Sequence, residues 1–169
     1  LLLVLFMGIA TGASILSAQY FGAHDRQRLS RVVGASILLT VSSSFLMGFV
    51  GFFSSPWLMS LVNPPADVLD GAVIYLQIIF IGILGSATYN ILAGVLRGLG
   101  DSLMPLVSLL VASLLNIVLD IVFVRDLRMG VAGVAWATII AQAISGTMCL
   151  VRLCRMRQVV DVNKETLRP

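Results

Sequence analysis

Charge is what this sequence has least of. Its 169 residues hold eleven Lys and Arg and eight Asp and Glu, 11% in all, where a soluble globular domain carries about 25%. That shortage, beside 59% hydrophobic residues, excludes both a soluble enzyme and a disordered chain. Histidine is limited to His24, in a polar stretch, so histidine-based metal or nucleophile chemistry has no material to work with. Cysteine occurs twice, at Cys149 and Cys154. Their spacing fits neither a CxxC redox pair nor a zinc site, and both read as small packing residues. The apolar segments hold no paired carboxylates and no His/Cys/Glu set. Neither an enzyme nor a resident cofactor is expected.

Long apolar runs take the place of all this, and the mean hydropathy is +1.03. Five segments reach the roughly 20 residues needed to cross a bilayer: 1–21, 32–53, 71–96, 103–124 and 130–151. The expected fold is all-α, a polytopic transmembrane helical bundle in contact with lipid on its flanks. The first segment lacks the basic start of a signal peptide and is followed by further spans. It also opens inside an apolar run without an initiator Met, so the chain is expected to be part of something longer. The connections are short: 22–31, 54–70, 97–102 and 125–129. Segment 54–70, with Pro56, Asn63, Pro64 and Pro65, reads as a turn-rich loop leading to a helix start at Asp67 and Asp70.

Basic residues set the expected orientation. With 22–31 in the cytoplasm, Arg26, Arg28, Arg31, Arg97, Arg152, Arg155, Arg157, Lys164 and Arg168 lie inside, and only Arg125 and Arg128 lie outside. Nine against two is a strong positive-inside bias. It places loops 22–31 and 97–102 and the C-terminal tail in the cytoplasm, and it calls for either a helix before the first span or an N-terminus on the outside. The pI of 9.3 is thereby assigned to topology and attraction to an anionic leaflet, not to nucleic acid. Glycine pairs within the spans, Gly8 and Gly12, Gly82 and Gly85, Gly94 and Gly98, are expected to allow close helix packing rather than to act as hinges or gates.

One formally charged residue interrupts the apolar segments, Asp120. A carboxylate there costs at least about 2.5–3.5 kcal/mol on insertion scales, which makes it a functional candidate. Asn116 stands one turn earlier on the same helix face, and the Thr138 hydroxyl of the next span can join them. The three supply oxygen ligands for Na⁺, or a shared proton site. By helical rise from the expected span ends, Asp120, Thr138 and Tyr75 lie about 6, 12 and 6 Å deep in one half of the membrane. Tyr75 and Gln77 lie near the start of the third span, and Gln142 follows Thr138 by one turn. Other readings stay open on these residues alone. Asp120 can snorkel toward water near Arg125 or Asp126, Thr138 can bond its own backbone, and Tyr75 can belong to an interfacial aromatic belt.

Four stretches carry a resemblance: NIVLD at 116–120, LRGLGDS-x-x-P at 96–105, GVAGVAWAT at 130–138 and AQYFGAHD at 18–25. In order and spacing the chain, up to about Arg157, resembles multidrug and toxic compound extrusion (MATE) transporters. The resemblance implies helices two to six of the N-terminal lobe of a twelve-helix antiporter. Residues 1–153 are then a transmembrane fragment of that lobe, and 154–169 a basic cytoplasmic tail or inter-lobe linker. It further implies export of small, often cationic, organic compounds in exchange for Na⁺ or H⁺ across the plasma (inner) membrane. Asn116, Asp120 and Thr138 match the family's coupling residues on helices five and six, and Tyr75 a tyrosine near them; by this resemblance Tyr75, Gln77 and Gln142 are expected to line the substrate cavity. The family's helix-one carboxylate has no counterpart in this sequence, and the first helix and the C-terminal lobe would be its partners. Two rival readings are a lipid-linked oligosaccharide flippase, disfavoured because no Lys or Arg lies within a span, and a non-transporting membrane scaffold subunit.

Overall fold

A computed structural model describes residues 2–62 and 64–156 of the chain. The rest of the expected tail, from Arg157 on, lies outside the described residues, as does Asn63. The described residues form α1 (Leu2–Gly22), α2 (Arg26–Val62), α3 (Ala66–Ile81), α4 (Ile83–Gly98), α5 (Leu103–Ile121), a π-helical turn (Val122–Asp126) and α6 (Gly130–Arg155). Each of the five expected spans corresponds to one helix or to the α3–α4 pair. Among the described residues, three helices pass as membrane spans by length and composition, and the bent pair makes a fourth. α1 adds 21 residues without a charged side chain.

The surface differs from that of a soluble protein, large apolar side chains facing out along whole helices. Leu106, Leu110, Leu114 and Ile117 along α5 are exposed, as are Phe45, Phe49 and Phe53 along α2. Ser44, Ser55, Ser108 and Ser145 are buried instead. Lipid is as apolar as Leu, so small and weakly polar residues gather where helices meet. α4 lies at the centre, packed on α1, α2 and α6. Its residues Ile91, Leu92, Ala93, Gly94, Val95 and Leu96 are all buried, and Ile91, Leu92, Val95 and Leu96 form the core with Ala10, Ala13, Leu29, Val33 and Leu153.

Gly94 and Gly98 pack as expected. A Cβ on Gly94 would lie 2.6 Å from the Ala10 carbonyl oxygen, and one on Gly98 would run into that of Ser14. Gly8 and Gly12 do not: nothing described lies within 4 Å of a Cβ at either. Gly82 is a correction in another sense. It lies close against the Ile139 side chain, but it also separates α3 from α4, whose axes bend by 46°. The expected third span is therefore a broken one, with hydrogen bonds from Gly82 N to Ile78 O (3.1 Å) and from Gly85 N to Gly82 O (3.0 Å) bridging the break.

Loop boundaries change as well. The expected loop 54–70 is mostly helix: α2 runs through Pro56 to Val62. Proline removes one backbone bond, but breaking the helix in lipid would leave more groups unpaired. The serines are absorbed by the helix itself. Ser54 Oγ donates to Val50 O (2.7 Å), Ser55 Oγ to Gly51 O (2.6 Å) and Ser60 Oγ to Trp57 O (2.7 Å). At its other end α2 starts at Arg26 rather than at residue 32, and α6 extends through Cys154 to Arg155. Cys154 is exposed, so the packing reading holds for buried Cys149 only.

Candidate functional site

α5 and α6 are joined by a short connection and pack side by side, and that brings Asn116 to Thr138. Asn116 Nδ2 donates to Thr138 Oγ1 at 3.5 Å. Thr138 Oγ1 donates in turn to Val134 O at 3.0 Å, so the hydroxyl bonds its own backbone and also meets the facing helix. Both residues are half-buried.

Asp120 follows Asn116 by one turn. It is half-buried, and its Oδ1 is a fully buried oxygen with no hydrogen-bond partner. Among the described residues it forms no ion pair, with Arg125 or with any other cation. Oδ1 is thus closed off from solvent and unpaired, while the residue as a whole is only half-buried. An unpaired carboxyl oxygen in a low-dielectric interior costs free energy unless a proton or cation reaches it. One residue past Asp120 the helix widens. Leu127 N bonds Val122 O (3.0 Å), the five-residue reach of a π-type turn, and Met129 N bonds Phe123 O (2.9 Å) to close the wider turn that follows. None of the residues 122–126 is buried. Extending the helix to Asp126 puts Asp120 six residues, about 9 Å, from its end.

The proposed cavity residues are not gathered with equal closeness. Tyr75 and Gln77 are half-buried on α3, which packs against α2 and α6 but not against α5. With α3 starting at Ala66, Tyr75 lies about 14 Å from its start, deeper than the sequence suggested. Gln142 is half-buried one turn beyond Thr138, and its backbone oxygen accepts from Ser145 Oγ at 2.9 Å. Neither Tyr75, Gln77 nor the side chain of Gln142 hydrogen-bonds to the Asn116–Thr138 pair.

The opposite end of the bundle holds a contact that sequence reading missed. Arg152 Nε at the end of α6 donates to Asp101 Oδ2 at 2.7 Å, while Asp101 Oδ1 accepts from Met104 N at 3.1 Å. Burial pushes the Asp101 carboxyl upward. The hydrogen bond from Arg152, the one from Met104 N and the Arg152 charge outweigh this and hold it below the usual carboxylate range. Two further ties were also missed. Tyr89 OH on α4 donates to Pro105 O at 3.2 Å, and Cys149 Sγ on α6 meets Ser108 Oγ on α5 at 3.6 Å. The Gly100–Asp101 pair in the connection is a local sequence signal that could have marked Asp101.

Apolar flanks turned outward and a lone acid turned inward define a polytopic helical membrane protein. Residues 1–122 match the family model MatE. The chain belongs to the MatE family. It is 37% identical over 139 residues to "Probable multidrug resistance protein YpnP" of Bacillus subtilis (strain 168), covering 82% of this chain and 31% of that protein. Its fold matches a solved structure described as the inward-facing conformation of a multidrug resistance MATE family transporter, with a TM-score of 0.92 at 25% identity. That match covers 98% of this chain and 38% of the other. A structure described as the outward-facing conformation of such a transporter matches with a TM-score of 0.86 at 26% identity, over 99% and 37% of the two chains. The chain thus spans about a third of the length of the relatives it matches.

Proposed function

We infer that this chain is a lobe fragment of a secondary antiporter that exports small organic compounds in exchange for Na⁺ or H⁺. The observation that carries this reading is the buried, unpartnered Oδ1 of Asp120 beside the Asn116–Thr138 contact. A carboxylate, an amide and a hydroxyl are oxygen donors suited to a small monovalent cation. Among the described residues no group of three or more His, Cys, Asp or Glu could hold a metal. The acid can equally take a proton, and either event removes the cost of its unpaired oxygen. Asp120 is the carrier in this reading, Asn116 and Thr138 its ligands or hydrogen-bond partners, and Tyr75, Gln77 and Gln142 walls of the substrate cavity. The remainder of the protein supplies the facing lobe.

Similarity to both an inward-facing and an outward-facing transporter supports alternating access in which this lobe moves largely as a body. Coupling then requires that the loaded and empty states of Asp120 favour different lobe arrangements. Orientation rests on charge. Arg26, Arg28, Arg31, Arg97, Arg152 and Arg155 lie at one end of the bundle, and Arg125 and Arg128 at the other. The first end is assigned to the cytoplasm and the whole to the plasma (inner) membrane. Dye efflux from proteoliposomes holding the full-length protein, driven by a Na⁺ gradient or by a pH gradient, tests the reading. Asp120→Asn should abolish gradient-driven efflux with insertion intact. Unchanged efflux by that variant at normal expression would remove Asp120 from the mechanism.

A further inference from the structure

A cavity of about 420 Å³ lies at the opposite end of α5 from Asp120, between the first turn of α5 and the last turns of α6. Met104, Ile144, Met148 and Val151 form its apolar length, and Arg152 and Arg155 stand at its end. Thr147 also lines it, but its hydroxyl is already bonded to Ala143 O at 2.7 Å, so this wall offers no unmet polar group. Ile144, Met148, Val151 and Arg155 are spaced four, three and four residues apart, which puts them on one face of α6. From Ile144 to Arg155 the helix rises about 16 Å, close to half of the roughly 30 Å hydrocarbon core. The groove is therefore about one leaflet deep, apolar along its depth and basic where the leaflet meets water.

The charges at that end do not cancel. Arg152 is held by Asp101. Arg155 is exposed and takes part in neither ion pair found among the described residues. One positive charge is left over at the mouth of an acyl-chain-length groove. The geometry points to a seat for a monoanionic phospholipid, its phosphodiester on Arg155 and one acyl chain along Met148, Val151 and Ile144. A zwitterionic lipid fits the groove equally well but brings no net charge to Arg155, so headgroup selection resides in that side chain. The seat abuts the Asp101–Arg152 pair, and its occupant would touch the α4–α5 connection through Arg152. None of this depends on how Asp120 is used.

Native mass spectrometry of the detergent-solubilised full-length protein reads the seat directly. The probes are palmitoyl-oleoyl phosphatidylglycerol and phosphatidylcholine with the same chains. One Arg near the surface favours the anionic lipid by about fivefold, and that preference is expected for the unaltered protein. Arg155→Gln should bring the two lipids to parity, and Arg155→Lys should keep most of the preference. Met148→Trp, which fills the groove and leaves the charge, should weaken binding of both lipids at this seat. Arg31→Gln, at the same end of the bundle but off the groove, should change nothing. The proposal is overturned if the unaltered protein shows no preference, if Arg155→Gln retains it, or if Met148→Trp binds both lipids as before. It is likewise overturned if an equal concentration of inorganic phosphate displaces the lipid, since that would make the site a phosphate site with no role for the groove.

Discussion

The two ends of this bundle solve opposite problems. At the end where α1 and α4 finish, both connections are closed by the same device. His24 and Gly100 take left-handed backbone angles (φ 57° and 86°). The next residue then reaches back, Asp25 N to Tyr20 O at 3.0 Å and Asp101 N to Leu96 O at 2.9 Å, which caps the finished helix. The same aspartates start the next one, Asp25 Oδ1 accepting from Arg28 N at 3.0 Å and Asp101 Oδ1 from Met104 N at 3.1 Å. Each is also paired with an arginine. At the other end Asp120 is left without a partner, the helix loosens into a π-type turn, and Arg125, Asp126 and Arg128 are exposed. The paired and capped aspartates sit at one end, and the carboxyl with an unpaired buried oxygen at the other. That division suits a body that must stay intact while one site loads and empties.

The strongest way to break the comparison is at the tight end. Gly98→Val would push side-chain carbon into the Ser14 backbone and separate α1 from α4. A loss of about 3 kcal/mol or more is expected, seen as a lower melting temperature of the full-length protein in detergent or as failed expression. A Gly98→Val protein that melted normally would mean α1 does not rest on α4 as described.

Next in size is the contrast between the two aspartates. Asp101→Ala removes a helix cap and a pair joining two elements 51 residues apart, at an expected cost of about 2–3 kcal/mol. Asp25→Ala removes a cap and an exposed pair three residues apart, worth about 1 kcal/mol. Acid should show the same asymmetry. Because the Asp101 carboxyl is held below its ordinary range, its contribution is present above the unfolded value and is lost as pH falls through the lower folded one. Melting temperature should therefore fall with acid in that window, and the fall should shrink in Asp101→Asn. An identical acid response in that variant would show that the pair is not the titrating element.

How far the sequence carried this fold follows from the same physics. Apolar run length marks where a helix can cross, so all five spans were legible. Their ends were not, because Pro56 and the serines around it carry turn chemistry in water but bond their own helix in lipid. The Gly82 bend was hidden because that glycine also meets the close-packing need that seemed sufficient to explain it. Asn116 and Thr138 could be paired in advance since a short connection forces α5 and α6 together. Tyr75 and Gln77 could not be placed, since depth along a helix does not say which helix is its neighbour, and α3 chose α6 over α5. Arg152 and Asp101 are separated by α5 and nearly all of α6, 51 residues in all, and no local pattern links them.

At the loose end the expected sign reverses. Asp120→Leu removes an unpaired buried oxygen and replaces it with a side chain of similar size, so it should stabilise the full-length protein by about 1 kcal/mol while gradient-driven efflux is lost. Thermal melting of the variant checks the sign, and a clear loss of stability would show that Asp120 has a structural partner. Arg125→Gln, an exposed residue at the same end, should stay within about 0.5 kcal/mol.

The smallest effect separates the two capped connections from each other. Gly100 takes its left-handed angle without strain, whereas His24 adopts the same region with a Cβ, at a cost of about 1 kcal/mol. The histidine recovers little of this, for its Nδ1 contact with Phe21 O is 3.2 Å long and exposed to solvent. His24→Gly should therefore raise stability by about 0.5 kcal/mol, once the greater freedom of glycine in the unfolded chain is counted. The reverse change at the matched position, Gly100→His, should lower it by at least as much. Paired melting curves of the two variants read the difference. If His24→Gly destabilises instead, then the Phe21 contact holds that turn, and the two loops share their geometry without sharing its cause.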